Sequence, residues 1–231
     1  RRDFVANVSD ELRTPVSVIR ANAETLLAGA LHDEVRGPMF LDAMIRNTER
    51  LSALISDLLD IARIESGKFP IHPRAVPLAN PTAEAWEAIQ PLAHSRQTAV
   101  ALELADDLWA RADTKALVQV LTNLLENAVK YIPARGNVVL HGGRIGDRVR
   151  LEVRDDGPGI DEAHHDRIFE RFYRVDAGRT SDMGGTGLGL SIVKHLVQAM
   201  GGHVSLHDNT PQGAVFRVEL AAAEPRASQA A

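Results

Sequence analysis

Apolar residues recur at helical spacing through the first quarter of the chain. One apolar stripe, with residues three or four positions apart, runs from Phe4 to Ala30. A second stripe with heptad spacing runs from Leu41 to Ala62, and Gly29 and the stretch from His32 to Pro38 lie between the two. The spacing predicts two helices joined by a short loop as an antiparallel hairpin, with a kink at Pro15 in the first helix.

A lone hairpin cannot bury an apolar face this wide. Dimerisation into a four-helix bundle through residues 1–66 would cover the face at the least structural cost. The alternative is a helical subdomain that packs on the rest of the chain.

The remaining pattern predicts a linker followed by an α+β domain. Three prolines mark a linker at 67–78, and Asn80-Pro81 is typical of a helix start, with the helix ending near Ser95. Residues 148–154 alternate apolar and polar side chains and predict a hairpin with 137–141 around Gly146-Asp147. The other predicted elements are strands at 98–104, 108–112, 203–207 and 214–220, helices at 113–131 and 187–200, and a disordered tail at 223–231.

Composition excludes several classes of protein. Of the 231 residues, 45% are hydrophobic and 25% are charged, which suffices for a core and argues against disorder. A net charge of −5 and 4% aromatic residues argue against nucleic-acid binding. The absence of cysteine excludes disulfides and thiolate metal sites. No apolar run approaches the ~20 residues that a bilayer span needs. Because the chain opens in helical register, we expect it to be part of a longer protein.

A glycine-rich run at 184–190, GGTGLGL, leads directly into a predicted helix. Glycine allows close backbone approach, and a helix N-terminus offers free N–H groups, so the run suits a phosphate ligand. The spacing matches neither a dinucleotide fingerprint nor a Walker A loop. A flexible hinge is the alternative interpretation.

A second motif, Asp155-Asp156-Gly157-Pro158-Gly159, lies at the end of a predicted strand. A carboxylate there can accept a hydrogen bond from a ligand amine, and the glycines let a flat ligand lie against the backbone. A solvated turn is the alternative, since these residue types favour turns.

A third motif places Asn123, Asn127, Lys130 and Tyr131 on one face of the predicted helix at 113–131. Two amides, an ammonium and a phenol fit a site for a metal, phosphates and a flat ring. A solvated polar face is the alternative when the motif is taken alone.

Together with Phe169-Glu170-Arg171-Phe172-Tyr173-Arg174, the three motifs resemble the N, G1, F and G2 boxes of sensor histidine kinases of two-component systems. The resemblance covers residues 113–220. It implies an α/β sandwich of the histidine kinase, gyrase and Hsp90 type that binds ATP with Mg²⁺ under a lid.

The resemblance also implies roles for individual residues. Tyr131 should flank the adenine, Asp155 should accept from the adenine amine, and Gly157 and Gly159 should shape that pocket. The other expected roles are Mg²⁺ ligation by Asn127, phosphate contacts by Asn123, Lys130 and Arg174, and a lid formed by Gly185, Thr186, Gly187, Leu188 and Gly189. Related ATPases have a Glu base where this chain has Asn123, which favours transfer to a protein over ATP hydrolysis.

The stretch from Phe4 to Pro15 resembles the H box of the same family. Within that family, the chain is similar to the phosphate-regulon sensors. The family's phosphorylated His falls at position 10, where this chain has Asp. A carboxylate is anionic and is repelled by a triphosphate, whereas imidazole offers a neutral nitrogen near pH 7. We therefore expect autophosphorylation to fail. By resemblance, Glu11 is the acid/base and Thr14 is the residue that orients water.

The resemblance implies the transmitter core of a cytoplasmic histidine kinase. It would be a homodimer that acts with a response regulator receiver domain and meets a membrane only through segments outside this chain. The expected domains are residues 1–66 and 79–222. The alternatives are an ATP-binding scaffold without kinase activity, a response-regulator phosphatase using Glu11 and Thr14, and a nucleotide-hydrolysing clamp.

Overall fold

The computed structural model of the chain describes residues 2–67, 70–175 and 185–225. They form two compact units: Arg1–Lys68 with Arg171–Gly189, and Phe69–Glu170 with Leu190–Ala231. The helices are α1 (Arg2–Leu27), α2 (Arg36–Glu65), α3 (Ala79–Ser95), α4 (Thr114–Tyr131) and α5 (Gly189–Ala199). The strands are β1 (Arg74–Pro77), β2 (Ala99–Leu104), β3 (Trp109–Ala112), β4 (Asn137–Ile145), β5 (Arg148–Asp155), β6 (His203–Asp208) and β7 (Ala214–Ala221).

In the first unit, α1 and α2 pack against each other as the predicted hairpin. Leu26, Leu54 and Ile61 are buried in it. The segment predicted to separate the two helices, His32 to Pro38, is too long, because α2 already begins at Arg36. Asp33 makes this early start possible, since its Oδ1 accepts from the backbone N–H groups of residues 35 and 36.

One apolar face of the hairpin is left open within the single chain. The exposed side chains on it include Leu41, Ile45, Ile55 and Leu59, each about half accessible or more. An exposed stripe of this kind is the apolar face for which the sequence predicts a covering partner.

The second unit is built on a five-stranded sheet of order β2-β4-β5-β7-β6. β2 and β4 run parallel, and the other neighbours are antiparallel, including the predicted β4–β5 hairpin. β1 pairs with β3 in a separate two-stranded sheet, so the stretch predicted as a linker contains a strand. α3 begins at Ala79 with Leu78 as its N-cap, so the predicted cap at Asn80 is wrong.

Alternation along β5 decides which of its side chains face the core. Val149, Leu151 and Val153 are each 1% exposed. Asp155 is two residues beyond Val153, so its side chain points to the same face of the sheet. Asp155 therefore lies on the core side of the sheet at the end of its strand, although it is a charged residue. Asp155 is 8% exposed.

The beginning of the predicted tail is held to the second unit. The backbone N–H of Ala223 donates to Trp109 O, and Arg144 forms an ion pair with Glu224 at 2.8 Å. The prediction of a disordered tail is therefore wrong at its first residues, and residues 226–231 lie outside the described part of the chain.

Candidate functional site

Helix α4 carries the polar face that the sequence predicts. Asp113 caps the helix, since its carboxylate accepts from the N–H of Ala116 at 3.1 Å. The opposite face is buried in the core and includes Leu117, Leu121, Leu124, Leu125 and Ala128. Asn123 and Asn127 are half-buried. Half-buried amides next to a fully packed core leave a polar surface on which a ligand can lie.

The end of α4 adds an ammonium and a phenol to this surface. Lys130 Nζ lies 2.6 Å from Glu126 Oε1, one turn back along the helix. Tyr131 is 39% exposed. An ammonium has three donors, so Lys130 can keep this ion pair and still bind an anionic ligand.

The Asp155 carboxylate is fixed through one of its two oxygens. Oδ1 accepts from the backbone N–H of Gly157 at 2.9 Å and from the N–H of Ala214 at 3.2 Å. Among the described residues, no donor reaches Oδ2. Oδ2 does not belong to the fully buried side-chain atoms that lack a partner, so a ligand can reach it and donate an N–H to it.

Burial raises the pKa of Asp155 above its ordinary value. The N–H groups of Gly157 and Ala214 act in the opposite direction, and the neighbouring Asp156 adds to the rise. The carboxylate is therefore easier to protonate than an exposed aspartate.

The glycines after Asp155 bring backbone close to the end of α4. A Cβ on Gly157 would lie 2.8 Å from Asp155 Oδ1 and 3.1 Å from Ile132 Cγ2. Gly159 has a φ of 76°, which glycine adopts without strain. Ile132, directly after α4, therefore links the helix to the Asp155 loop.

Two further carboxamides support this loop and were not found from the sequence. Asn137 donates from its backbone and its side chain to the carboxylate of Asp156, at 2.9 and 2.7 Å. Asn209 donates to the backbone carbonyl of Asp155 at 2.7 Å. Asparagine is common in turns, so its presence in the sequence gave no signal of these partners.

In the first unit, the predicted acid/base Glu11 lies between two arginines. Its Oε2 lies 3.2 Å from Arg50 of α2 and 3.3 Å from Arg174. Arg174 also donates to the backbone carbonyl of Gly185. The structure therefore joins three of the predicted site residues, and Arg50 is an additional partner that its position in α2 did not reveal.

The position expected for the phosphoacceptor lies on the surface of α1. Asp10 is 71% exposed by its side chain and pairs with Arg13 at 2.8 Å. Thr14 is exposed, and its hydroxyl donates to Asp10 O. Both side chains are accessible on the same face of the helix, one turn apart.

Part of the predicted lid is described, from Gly185 onward. Thr186 donates from its hydroxyl to Asp57 of α2 at 2.6 Å and accepts from the N–H of Leu188. Gly187 has a φ of 73°, and its carbonyl accepts from the N–H of Phe172 at 2.8 Å. Leu188 is fully buried, and α5 begins at Gly189. Gly184 lies outside the described residues.

Within residues 2–67, 70–175 and 185–225, no three His, Cys, Asp or Glu side chains are grouped as a metal site. A magnesium ion that is held mainly by phosphate oxygens and water needs only one or two protein ligands. None of the helices in the same residues is long and apolar enough to cross a membrane.

Two family models match the chain. Residues 1–67 match the His Kinase A (phospho-acceptor) domain. Residues 112–224 match the histidine kinase-, DNA gyrase B-, and HSP90-like ATPase. The two matches cover most of the chain without overlap.

Similar proteins agree with these matches. The phosphate regulon sensor protein PhoR of Pseudomonas aeruginosa is 35% identical over 224 residues, which are 97% of this chain and 51% of that protein. The structure of full-length ShkA in complex with AMPPNP has a TM-score of 0.67 and 32% identity, covering 97% of this chain and 47% of that one. The chain spans about half the length of the curated relatives that it matches, or less.

A third similarity supports the fold alone, because the identity is 22%. The histidine kinase ThkA in complex with response regulator protein TrrA has a TM-score of 0.77, covering 96% of this chain and 61% of that one. The chain belongs to the sensor histidine kinases of two-component systems: a phosphoacceptor-type helical hairpin is followed by the ATPase domain of that family.

Proposed function

We propose that this chain is a histidine kinase transmitter core that binds ATP with Mg²⁺ and cannot phosphorylate itself in the ordinary way. The observation that carries the nucleotide site is Asp155, a buried carboxylate with one oxygen fixed by backbone and the other without a donor among the described residues. ATP binding is the activity that the ATPase family match implies.

The adenine end of the site is formed by Asp155, Gly157 and Gly159. Asp155 Oδ2 would accept from the adenine 6-amino group, and this hydrogen bond would be strengthened by the charge on the carboxylate. The ring would lie against the Gly157 backbone, where a Cβ would already meet Ile132. Tyr131 would flank the ring from the end of α4. The residues present therefore fit an adenine.

The phosphate end of the site uses the polar face of α4. Asn127 would ligate Mg²⁺ through its side-chain oxygen, with Asn123 and Lys130 near the phosphates. The bound ion would neutralise phosphate charge and orient the γ-phosphoryl group. Arg174 would bind the γ-phosphate, and Gly185, Thr186, Gly187, Leu188 and Gly189 would serve as the lid.

Arg174 has a competing role in this structure. It is paired with Glu11, so the residue proposed for the γ-phosphate and the residue proposed as acid/base neutralise each other. Glu11 also keeps Arg50 as a partner, so Arg174 can exchange Glu11 for a phosphate without leaving that carboxylate unpaired.

We propose that Asp10 stands where the family has its phosphorylated His. Transfer to His would form a bond between an imidazole nitrogen and the γ-phosphorus and break the bond to the β,γ-bridging oxygen, with ADP leaving. Imidazole is a neutral nucleophile, whereas the Asp10 carboxylate is anionic and already paired with Arg13.

The test uses ATP with a radiolabelled γ-phosphate and the Asp10→His variant. We expect no label on the wild-type chain and acid-labile, base-stable label on Asp10→His. Asp10→Asn is the matched control, because it removes the charge without adding a nucleophile. Label on wild-type Asp10 would contradict the proposed loss of autophosphorylation, and an unlabelled Asp10→His chain would argue against a latent kinase.

A phosphatase acting on a response regulator is the second candidate function. Asp10 and Thr14 are exposed one turn apart on α1, so a receiver domain can reach this face. Thr14 would orient water against an aspartyl phosphate, beside Glu11, and this reaction does not require a His. A regulator phosphorylated with acetyl phosphate should lose its phosphate faster with the wild-type chain than with Thr14→Ala. Equal rates would reject this activity.

The proposed partners are a second copy of the chain through residues 1–66 and a response regulator receiver domain. The exposed apolar residues of the hairpin support the first partner. Membership of the sensor histidine kinases of two-component systems supports the second. The proposed boundaries are a hairpin at 1–66 and a catalytic domain at 79–222.

A further inference from the structure

The turn between β6 and β7 holds the end of β5 through a side-chain amide. Asn209 Nδ2 donates to the backbone carbonyl of Asp155 at 2.7 Å. Asn209 Oδ1 accepts from the N–H of Thr210 at 3.0 Å, and its backbone N–H donates to Gly213 O at 3.0 Å. The amide is therefore fixed at both ends, and its donor points at a single acceptor.

Asp155 needs this donor because the β5–β7 ladder ends one residue earlier. The last backbone pair between the two strands is Arg154 with Val215. Beyond it, the Asp155 carbonyl has no strand partner on that side, and Asn209 supplies the missing donor. A backbone carbonyl at a buried position requires a partner of this kind.

Glycine at position 213 brings the same turn into contact with Asp155. A Cβ on Gly213 would lie 1.9 Å from the Asp155 carbonyl oxygen, and the φ of 119° excludes ordinary side chains. Ala214, the next residue, donates to the carboxylate of Asp155 at 3.2 Å. The turn therefore contacts Asp155 at its backbone and at its side chain.

We propose that Asn209 is a positioning residue for adenine recognition: by holding the Asp155 backbone, it fixes the direction of the free carboxylate oxygen. This inference rests on the proposed nucleotide site. Oδ1 is held by two N–H groups, so the position of Oδ2 follows from the position of the main chain. Asn209 controls that main chain and does not itself touch the nucleotide.

The test compares two nucleotides that differ only in the group that Asp155 would read. ATP has a 6-amino group, and purine riboside 5′-triphosphate lacks it. Titration calorimetry on the full chain with Mg²⁺ gives both dissociation constants. We expect the wild-type chain to prefer ATP by at least tenfold, which is typical of a hydrogen bond to a charged group.

Asn209→Asp and Asn209→Ala are the informative variants. Asn209→Asp keeps the size and the acceptor for Thr210 but removes the donor, and Asn209→Ala removes both without adding charge. We expect ATP binding to weaken about tenfold in both, with the analogue unchanged within twofold, so that the preference for ATP nearly disappears. Ser205→Ala is the control, because Ser205 lies in β6 and its hydroxyl is hydrogen-bonded to His207, not to Asp155.

Each other outcome overturns the inference. Equal weakening of both nucleotides would show that Asn209 only stabilises the turn, and an unchanged preference would show that it does not position Asp155. Circular dichroism checks folding, and loss of the fold in both variants would also show a structural role. Failure of the proposed function gives a separate result, because the wild-type chain would then bind neither nucleotide.

Discussion

Asp155 combines a proposed role in nucleotide binding with an unfavourable location for a charge. Its neighbours on the core side of β5 are aliphatic, and burial raises the pKa of its carboxyl above the usual value. The native state therefore binds this proton more tightly than the unfolded chain does. Consequently, the ionised group lowers stability as the pH rises through the window above the ordinary aspartate pKa.

Asp155→Asn should separate stability from binding. At neutral pH we expect a melting temperature equal to or above that of the wild type, because the uncharged amide is buried at lower cost. We expect ATP binding to weaken at least tenfold, because an amide cannot replace the carboxylate as a charged acceptor. Thermal unfolding and calorimetry measure the two effects. A variant that melts several degrees lower would contradict the first part.

Glu152 lies on the outer face of the sheet, and its pKa is shifted in the opposite direction to that of Asp155. Burial acts to raise the pKa of Glu152, but Arg154 and Arg217 outweigh it and hold the pKa below the ordinary value. The carboxylate lies 2.8 Å from Arg217 Nε and also accepts from Arg154. Its contribution to stability is therefore present above the ordinary glutamate pKa and is lost as the pH falls through the lowered one.

Glu152→Gln should cost about 1–3 kcal/mol of unfolding free energy at pH 7, less than a fully buried pair because Arg154 is partly exposed. The difference from the wild type should shrink as the pH falls through the lowered pKa. Urea unfolding at several pH values measures this difference in unfolding free energy. Glu219→Gln, at the more exposed pair with Arg150, is the matched control and should cost less. A constant difference at all pH values would reject the electrostatic explanation.

At the scale of elements, α4 is the helix on which the proposed site depends. Its N-cap Asp113 accepts from Ala116 N with one oxygen and from His72 N with the other, both at 3.1 Å. One carboxylate thus caps the helix and also forms a hydrogen bond with the backbone of the segment that leads into β1.

Asp113→Ala should lower the free energy of unfolding by about 1–2 kcal/mol, as for other N-cap losses. Urea unfolding measures the change. Asp147→Ala is the control, since Asp147 is an exposed turn residue between β4 and β5 and should change stability by less than about 0.5 kcal/mol. Equal effects of both substitutions would show that the cap is not the cause.

At the scale of the whole molecule, the exposed apolar residues of the hairpin predict self-association of the chain. Ile45 and Leu59 are 57% and 53% exposed, on the stripe that heptad spacing assigns to a partner helix. A second copy of the chain would bury this stripe in a four-helix bundle.

The Ile45→Glu, Leu59→Glu double variant should therefore be monomeric, with a mass of 25.1 kDa, while the wild type sediments at twice that mass. Equilibrium sedimentation measures both. Leu102→Glu, an exposed apolar position on β2, is the control and should leave the dimer intact. A monomeric wild-type chain would reject the homodimer.

Much of the molecule follows from local patterns in the sequence. Helical spacing predicted α1, α2 and the two faces of α4, and alternation predicted β5 and its hairpin with β4. The same alternation places Asp155 on the core side, because it continues the parity of Val149, Leu151 and Val153. The motifs also predicted the family, which the two domain matches confirm.

Other features required the three-dimensional structure. Strand β1 and the parallel pairing of β2 with β4 depend on partners far along the chain, and local spacing carries no information about which strands meet. Asn209 reaches Asp155 across 54 positions, and Arg50 and Arg174 reach Glu11 across 39 and 163. Periodicity determines which face a residue occupies, whereas loop closure and packing decide which distant group it meets there.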